Sequence, residues 1–290
     1  AGTDFKYVLD KNTGMFSEFS YNGVQLICKQ PRLNIWRAPT DNDRNIRKAW
    51  EDEGYERIVP HIYSISINKP HDRKVTVGCS YSLGGTIKKP VILGELKWTI
   101  FGSGDVLMDV KAHVREGLPF LPRFGLQLIM PEGNERVEYF GYGPHESYTD
   151  KHQSTVKSRF SAIVRDMHED YIMPQENGSH HETEWAAVTG LTGMGLLFVG
   201  ADDFSFNTSH FTPEDLAEAT HDIELKPRKE TIVNLDYKMS GLGSASCGPE
   251  LAQQYRLNEA KIRFALRMKP VDTEQSAVLK IVRSEIVEDT

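Results

Sequence analysis

Apolar and polar residues alternate with a period of two along most of this chain, the spacing at which side chains share one face of a strand. The clearest runs are Val106, Met108, Val110, Ala112 and Val114, and then Ile262, Phe264, Leu266 and Met268. Turn residues separate such runs at Asn12-Thr13-Gly14, Tyr21-Asn22-Gly23, Gly84-Gly85 and Gly102-Ser103-Gly104-Asp105. Many short strands punctuated in this way predict a β-sandwich or barrel, not an α/β fold. Helix is expected in two places. Thr212-Pro213-Glu214-Asp215-Leu216 sets an N-cap residue, a proline at the first helical position and an acidic first turn in succession, predicting a short helix through about Thr220. Arg44 to Gly54 offers a second, with Trp50 as apolar anchor and Gly54 as stop. Trp185, within Glu184-Trp185-Ala186-Ala187-Val188, reads as a core residue of a central strand, and Val271 to Gln275 and Glu288 to Thr290 as turn and tail.

An all-β chain of 290 residues is routinely one domain, and no internal repeat or linker divides this one, so a single domain spanning 1–290 is expected. Apolar content of 39% and charged content of 26% are those of an ordinary globular protein. No window approaches the ~18 apolar residues that would span a bilayer. A net charge of -7 repels nucleic-acid phosphates, so neither a nucleic acid nor a membrane is an expected partner, and a neutral ligand such as a sugar fits better. Cys28, Cys79 and Cys247 are widely spaced and form no Cys-x-x-Cys pair, so buried free thiols are expected. The first residues lack the basic and apolar regions of a signal peptide, which leaves cytoplasm and periplasm both open, with cytoplasm the default.

Four polar stretches carry the chemistry. Arg37-Ala38-Pro39-Thr40-Asp41-Asn42-Asp43 packs donors and acceptors around a proline-fixed turn, consistent with Arg37 in a bidentate carboxylate pair and Asp41 or Asn42 capping the turn. Trp36, at a strand end beside Ile35, reads as core. In Gly141-Tyr142-Gly143-Pro144-His145-Glu146-Ser147-Tyr148, His145 and Glu146 would be the natural acid and base of a free-standing enzyme; the structural reading makes Glu146 a buried acceptor pinning a loop that Tyr148 closes. Pro174-Gln175-Glu176-Asn177-Gly178 suits a turn with positive backbone angles. Nearby His168-Glu169-Asp170 and His180-His181-Glu182 carry metal-ligand types, but adjacent strand histidines point to opposite faces, so no metal site is assigned. The last stretch is the glycine-rich Met239 to Pro249, where Cys247 has no neighbouring cation or helix start to activate it.

In this order, these stretches resemble the C-terminal domain of glycoside hydrolase family 2 β-galactosidases, which some heteromeric members encode as a separate small subunit. The family shows Gly-x-Gly-Pro-x-Glu-x-Tyr where this chain has Gly141 to Tyr148, an Asp or Asp-Arg pair where it has Asp150 and Lys151, and Pro-x-Glu-Asn-Gly where it has Pro174 to Gly178. The resemblance runs from about Phe5 to Met268. It implies a supersandwich of the galactose mutarotase-like kind, two large antiparallel sheets packed face to face. It also implies a part of an enzyme that hydrolyses terminal β-D-galactosides, such as lactose, with retention.

Such chemistry needs two carboxylates about 5 Å apart, and in the family both lie on a TIM barrel preceding this domain. No catalytic residue is therefore expected here. The resemblance implies pocket-bordering loops at Asp41, Asn42, Asp43 and Arg44 and at Ser246 and Cys247, the segment 44–51 being a mobile partner-facing element. It further implies barrel and sandwich domains, or a large subunit, as partners, an oligomeric full enzyme, no cofactor in this chain, and Mg2+ and Na+ at sites outside it. Well-studied members carry tryptophan at the Cys247 position, as part of the sugar-binding surface. A thiol does not stack on a pyranose, which puts that role in doubt here. Two rivals stay open: a stand-alone mutarotase- or epimerase-like enzyme, and a carbohydrate-binding module, which would want a row of exposed aromatics.

Overall fold

In the computed structural model, which describes residues 1–71, 73–284 and 286, the alternating runs become strands. The chain opens with β1 (Phe5–Asp10), β2 (Met15–Tyr21), β3 (Val24–Gln25) and β4 (Lys29–Asn34). Then follow β5 (Val59–His71), β6 (Lys74–Gly84), β7 (Ile92–Phe101), β8 (Val106–Val114) and β9 (Arg123–Met130). The rest are β10 (Arg136–Gly143), β11 (Val156–Ile163), β12 (His180–Thr189), β13 (Met194–Ser209), β14 (Thr231–Met239) and β15 (Lys261–Asp272). Among the described residues, helix is confined to α1 (Arg47–Glu53), α2 (Pro213–Glu218), α3 (Val278–Val282) and short 3-10 turns. No helix among the described residues is long and apolar enough to cross a membrane.

The two strongest alternating runs lie side by side. Ile262, Phe264, Leu266 and Met268 of β15 pair with Ala112, Val110, Met108 and Val106 of β8, and all eight are buried. Each of these side chains but that of Ala112 contributes roughly 1.5–3 kcal/mol by leaving water, and a slip of one residue would turn the whole row outward.

All pairing is antiparallel. A three-stranded sheet, β1-β2-β3, caps a twelve-stranded one whose main path runs β11-β10-β12-β13-β15-β8-β7-β6-β5. The two faces of the sandwich are arms of this one hydrogen-bonded sheet, because the 16-residue β13 serves both. Its first half, Met194 to Gly200, pairs with β15, and its second half, Ser205 to Ser209, pairs with β14, which leads on to β9 and β4. Phe206, Leu235 and Leu126 from one arm and Val110, Leu96 and Phe264 from the other share a single core cluster. Trp185 is buried on an interior strand, as expected, but in a smaller second cluster with Leu197, Val271 and Val278 of α3.

Both expected helices form, shorter than anticipated. In α2, Thr212 Oγ1 accepts from the Asp215 amide at 3.2 Å while the Asp215 carboxylate accepts from the Thr212 amide at 2.8 Å, the reciprocal cap. Gly54, in the left-handed region at φ 77°, ends α1. Trp50 of α1 is fully buried, donates to the Phe120 carbonyl at 2.8 Å and packs edge-on against Trp36, so a mobile element across 44–51 is not what the structure holds at its C-terminal half. The thiols also depart from expectation: only Cys79 is buried, whereas Cys28 and Cys247 are exposed. Val271 lies in β15 rather than a turn, which begins after Asp272, and the tail expected at Glu288 to Thr290 lies outside the described residues.

Candidate functional site

Strands β9 and β14 are buried on both faces, and their outer face is polar. On β9, Phe124, Leu126 and Leu128 point to the core, which leaves Arg123, Gly125 and Gln127 on the other side; on β14, Asn234 and Asp236 alternate with Val233 and Leu235 in the same way. A buried charge without a partner would cost several kcal/mol, so this face is saturated. Arg123 holds Asp236 through Nε and Nη2 at 3.0 and 2.5 Å and reaches Glu176 through Nη1 at 3.1 Å. Gly125 makes the grip possible, since a Cβ there would fall 2.3 Å from the Asp236 carboxylate. An amide relay runs alongside: Arg32 donates to Gln127, Gln127 to Asn234, Asn234 to Asn207, and Asn207 to the carbonyl of Asn177.

The segments that cover this face are the ones singled out in the sequence. Arg37, fully buried, donates to both Asp43 oxygens at 2.8 and 3.1 Å, and to the carbonyls of Ser240 at 2.5 Å and Gly241 at 3.0 Å. The expected bidentate partner is thus Asp43, and the same carboxylate, rather than Asp41 or Asn42, caps the turn by accepting from the Thr40 amide at 2.9 Å. Asn42 instead clips a distant loop from both sides, donating to the Gly243 carbonyl at 2.8 Å and accepting from the Ser246 amide at 2.9 Å. Asp150 completes the hold, its two oxygens accepting from the Leu242 and Gly243 amides at 2.9 and 2.8 Å. Only glycine at 241 permits this, because a Cβ would lie 2.5 Å from the Asp150 carboxyl carbon.

The third motif joins the first: the Glu176 amide donates to the Ala38 carbonyl and the Asp41 amide to Gln175. Glu146 accepts from Lys151, from Tyr171 and, at 2.9 Å, from the Gly178 amide, while Tyr148 is buried over it. It is the loop-pinning acceptor of the structural reading, and exposed His145 makes no acid–base pair with it. All four tryptophans are buried, which leaves a binding module no indole platform.

Burial sets the protonation of this knot. It pushes the Glu176 carboxyl up to about 7, against the pull of Arg123 and Arg37, and raises Asp236 despite Arg123. It pushes the His180 imidazole down to about 4, with Nδ1 facing the Tyr142 carbonyl at 3.0 Å. Among the described residues, His168, Asp170 and Asp222 bring one ligand atom each within 4.8 Å of one another; Asp170 is exposed, and His168 and Asp222 are half-buried.

Of the residues expected at a pocket, Asn42 and Ser246 are brought together, Asp41, Arg44 and Cys247 form an exposed rim, and Asp43 is buried against Arg37. A cavity of about 350 Å3 lies between the paired loops and the 118–120 segment, lined by Asn42, Gly243, Ala245, Phe120 and Arg256. Sequence reasoning missed Arg123, Asp236 and the hold of Asp150. The first two had a readable signal, polar or charged residues alternating with large apolar ones in strands that lack an exposed face: Arg-Phe-Gly-Leu-Gln-Leu-Ile-Met and Thr-Ile-Val-Asn-Leu-Asp.

The family described as Beta galactosidase small chain matches residues 1–268. A β-galactosidase from Actinobacillus pleuropneumoniae is 39% identical over 264 residues, 90% of this chain and 26% of that protein. One from Staphylococcus xylosus is 37% identical over 272 residues, 92% of this chain and 27% of that protein. The chain thus spans about a quarter of the length of these curated relatives, which are longer single chains. Among solved structures, galactose 1-epimerase from Lactobacillus acidophilus NCFM covers 93% of this chain and 92% of its own, with a TM-score of 0.48 and 6% identity.

Proposed function

The chain belongs to the β-galactosidase small-chain family, and from that premise we propose that it is a supersandwich domain, 1–290, that completes the substrate pocket of a retaining β-galactosidase. Its substrates would be terminal β-D-galactosides of the lactose type. The catalytic carboxylates lie outside it, on a preceding barrel or a large subunit, as do the Mg2+ and Na+ of the full oligomeric enzyme. Asp41, Asn42, Asp43, Arg44, Ser246 and Cys247 border the pocket.

The observation that carries this reading is the double clip of Asn42 on Gly243 and Ser246, backed by Arg37 on Ser240 and Gly241. Two loops some 200 residues apart are locked into one rim by the buried Arg37 and the half-buried Asn42. Preorganisation of that kind suits a surface that must position a ligand rather than react with it. The motif carboxylates support the same division of labour. Asp43, Glu146, Asp150 and Glu176 are held by Arg37, Lys151, loop amides and Arg123 respectively, which leaves none as a free nucleophile.

The test is a chromogenic-galactoside assay on the purified chain, with and without the remaining three quarters of a relative such as the Staphylococcus xylosus enzyme. No turnover alone and turnover in the mixture is the expected result. Turnover by the chain alone, abolished by Glu146→Gln or His145→Ala, would overturn the proposal in favour of a self-contained sugar enzyme.

A further inference from the structure

A second cavity, of about 300 Å3, opens where β12 and β13 lose register around Thr183. Its wall includes Glu182, Asp203, Tyr237, Tyr255, Arg256 and Glu259, and none of the rim residues Asp41 to Arg44 or Ser246 to Cys247. Arg256 lines both cavities, so the Gln254 to Leu257 segment divides them.

Two features single this cavity out. Glu182 holds φ at +47°, one of two positive-φ residues other than glycine among the described residues. The other, Asn22, occupies a tight turn between β2 and β3, where asparagine tolerates that geometry. A glutamate at a strand bulge has no such tolerance, and a backbone held this way costs of order 1–3 kcal/mol, typically where a side chain must be aimed. The second feature is Glu259. Its Oε1 accepts from Lys238 at 2.7 Å, while Oε2 is buried with no hydrogen-bond partner. The Glu259 side chain is 35% exposed, so its accessible edge, and not the enclosed Oε2, is what it offers a donor in the cavity.

The charges decide which donor. Lys238 neutralises Glu259 and Lys157 neutralises Asp203, whereas Glu182 faces only His181, at 3.6 Å. Neither a strong anion nor a strong cation is favoured by so nearly balanced a wall. What remains is directional: carboxylate oxygens as acceptors for hydroxyls, Lys238 and Arg256 as donors to hydroxyl oxygens, and the rings of Tyr237 and Tyr255 as apolar surface for C–H faces. The volume is at the small end of small-molecule sites. We propose that this cavity is a second carbohydrate site, binding one neutral polyhydroxylated ring, distinct from the rim formed by the Asn42 clip.

The test is amide chemical-shift mapping of the isotope-labelled chain titrated with galactose, glucose, glucuronate and tetramethylammonium. Saturable shifts confined to 181–182, 203–205, 237–239 and 254–259 with a neutral sugar are expected. Glu182→Gln and Tyr255→Ala, each keeping the native amide spectrum elsewhere, should each weaken binding about tenfold. The proposal is overturned if no neutral sugar shifts these amides well above millimolar concentration, or if glucuronate or tetramethylammonium binds as tightly. It is equally overturned if the shifts survive both variants or fall only at 41–46 and 242–247. The last outcome would leave the rim proposal standing, so the two ideas fail separately.

Discussion

Arg37 and Asp43 meet side-on, Nη2 to Oδ1 at 2.8 Å and Nε to Oδ2 at 3.1 Å, with both side chains out of contact with water. Because the same guanidinium holds two carbonyls of a loop 200 residues away, the pair couples local turn geometry to long-range loop placement. Removing one partner leaves the other charge buried and unpaired. Asp43→Ala should therefore destabilise the chain by about 3–5 kcal/mol in urea unfolding. A midpoint equal to that of the wild type would mean the pair holds nothing.

Asn42→Ala removes two hydrogen bonds at a partly exposed site, and should cost only about 1–2 kcal/mol. Its signature is local. The Ser246 amide, whose acceptor is the Asn42 side chain, should exchange with solvent much faster while strand amides of β14 keep their protection. Unchanged exchange at Ser246 would show that the loop is held without the clip.

Glu176 and His180 make opposing contributions to stability in acid. With its folded carboxyl raised to about 7, Glu176 binds more protons folded than unfolded, so its contribution grows as pH falls from about 7 towards the ordinary carboxylate range. His180, depressed to about 4, binds fewer protons folded, so its contribution is lost as pH falls below 6.5. The two largely offset each other between pH 6.5 and 4.5. Glu176→Gln removes the first alone, and its stability relative to the wild type should worsen by a few kcal/mol as pH is lowered from 7 to 4.5. A pH-independent difference between the two melting curves would contradict the buried, protonating carboxyl.

Trp185→Ala should cost roughly 3–5 kcal/mol, because the indole fills the small cluster between β12, Leu197 and Val278. Its loss should also free α3, seen as a rise in amide exchange over 278–282. An unchanged melting temperature would place Trp185 outside any core.

Cys247 stands exposed where the resemblance places an indole. In the reassembled enzyme, Cys247→Trp should lower KM for a galactoside about threefold to tenfold, the worth of one aromatic contact. An unchanged or raised KM would remove position 247 from the proposed pocket rim.

The chain's own pattern determined the class of fold and much of its punctuation. Period two gave the strands, Thr212 with Pro213 and Asp215 gave α2, and Gly54 ended α1, because each depends on residues within a turn or two. Pattern also marked the polar segments, since Arg37, Glu146 and Glu176 sit in stretches that no apolar face explains. What it did not contain is who meets whom. That β13 forks the sheet, that Arg123 spans Asp236 and Glu176, and that Asn42 clips Ser246 are pairings across 16-residue strands or gaps of 53 to 204 residues. Alternation says which way a side chain faces, and identical alternation is shared by many strands. The choice among partners is made only when the whole core closes and every buried polar group must find a mate at once.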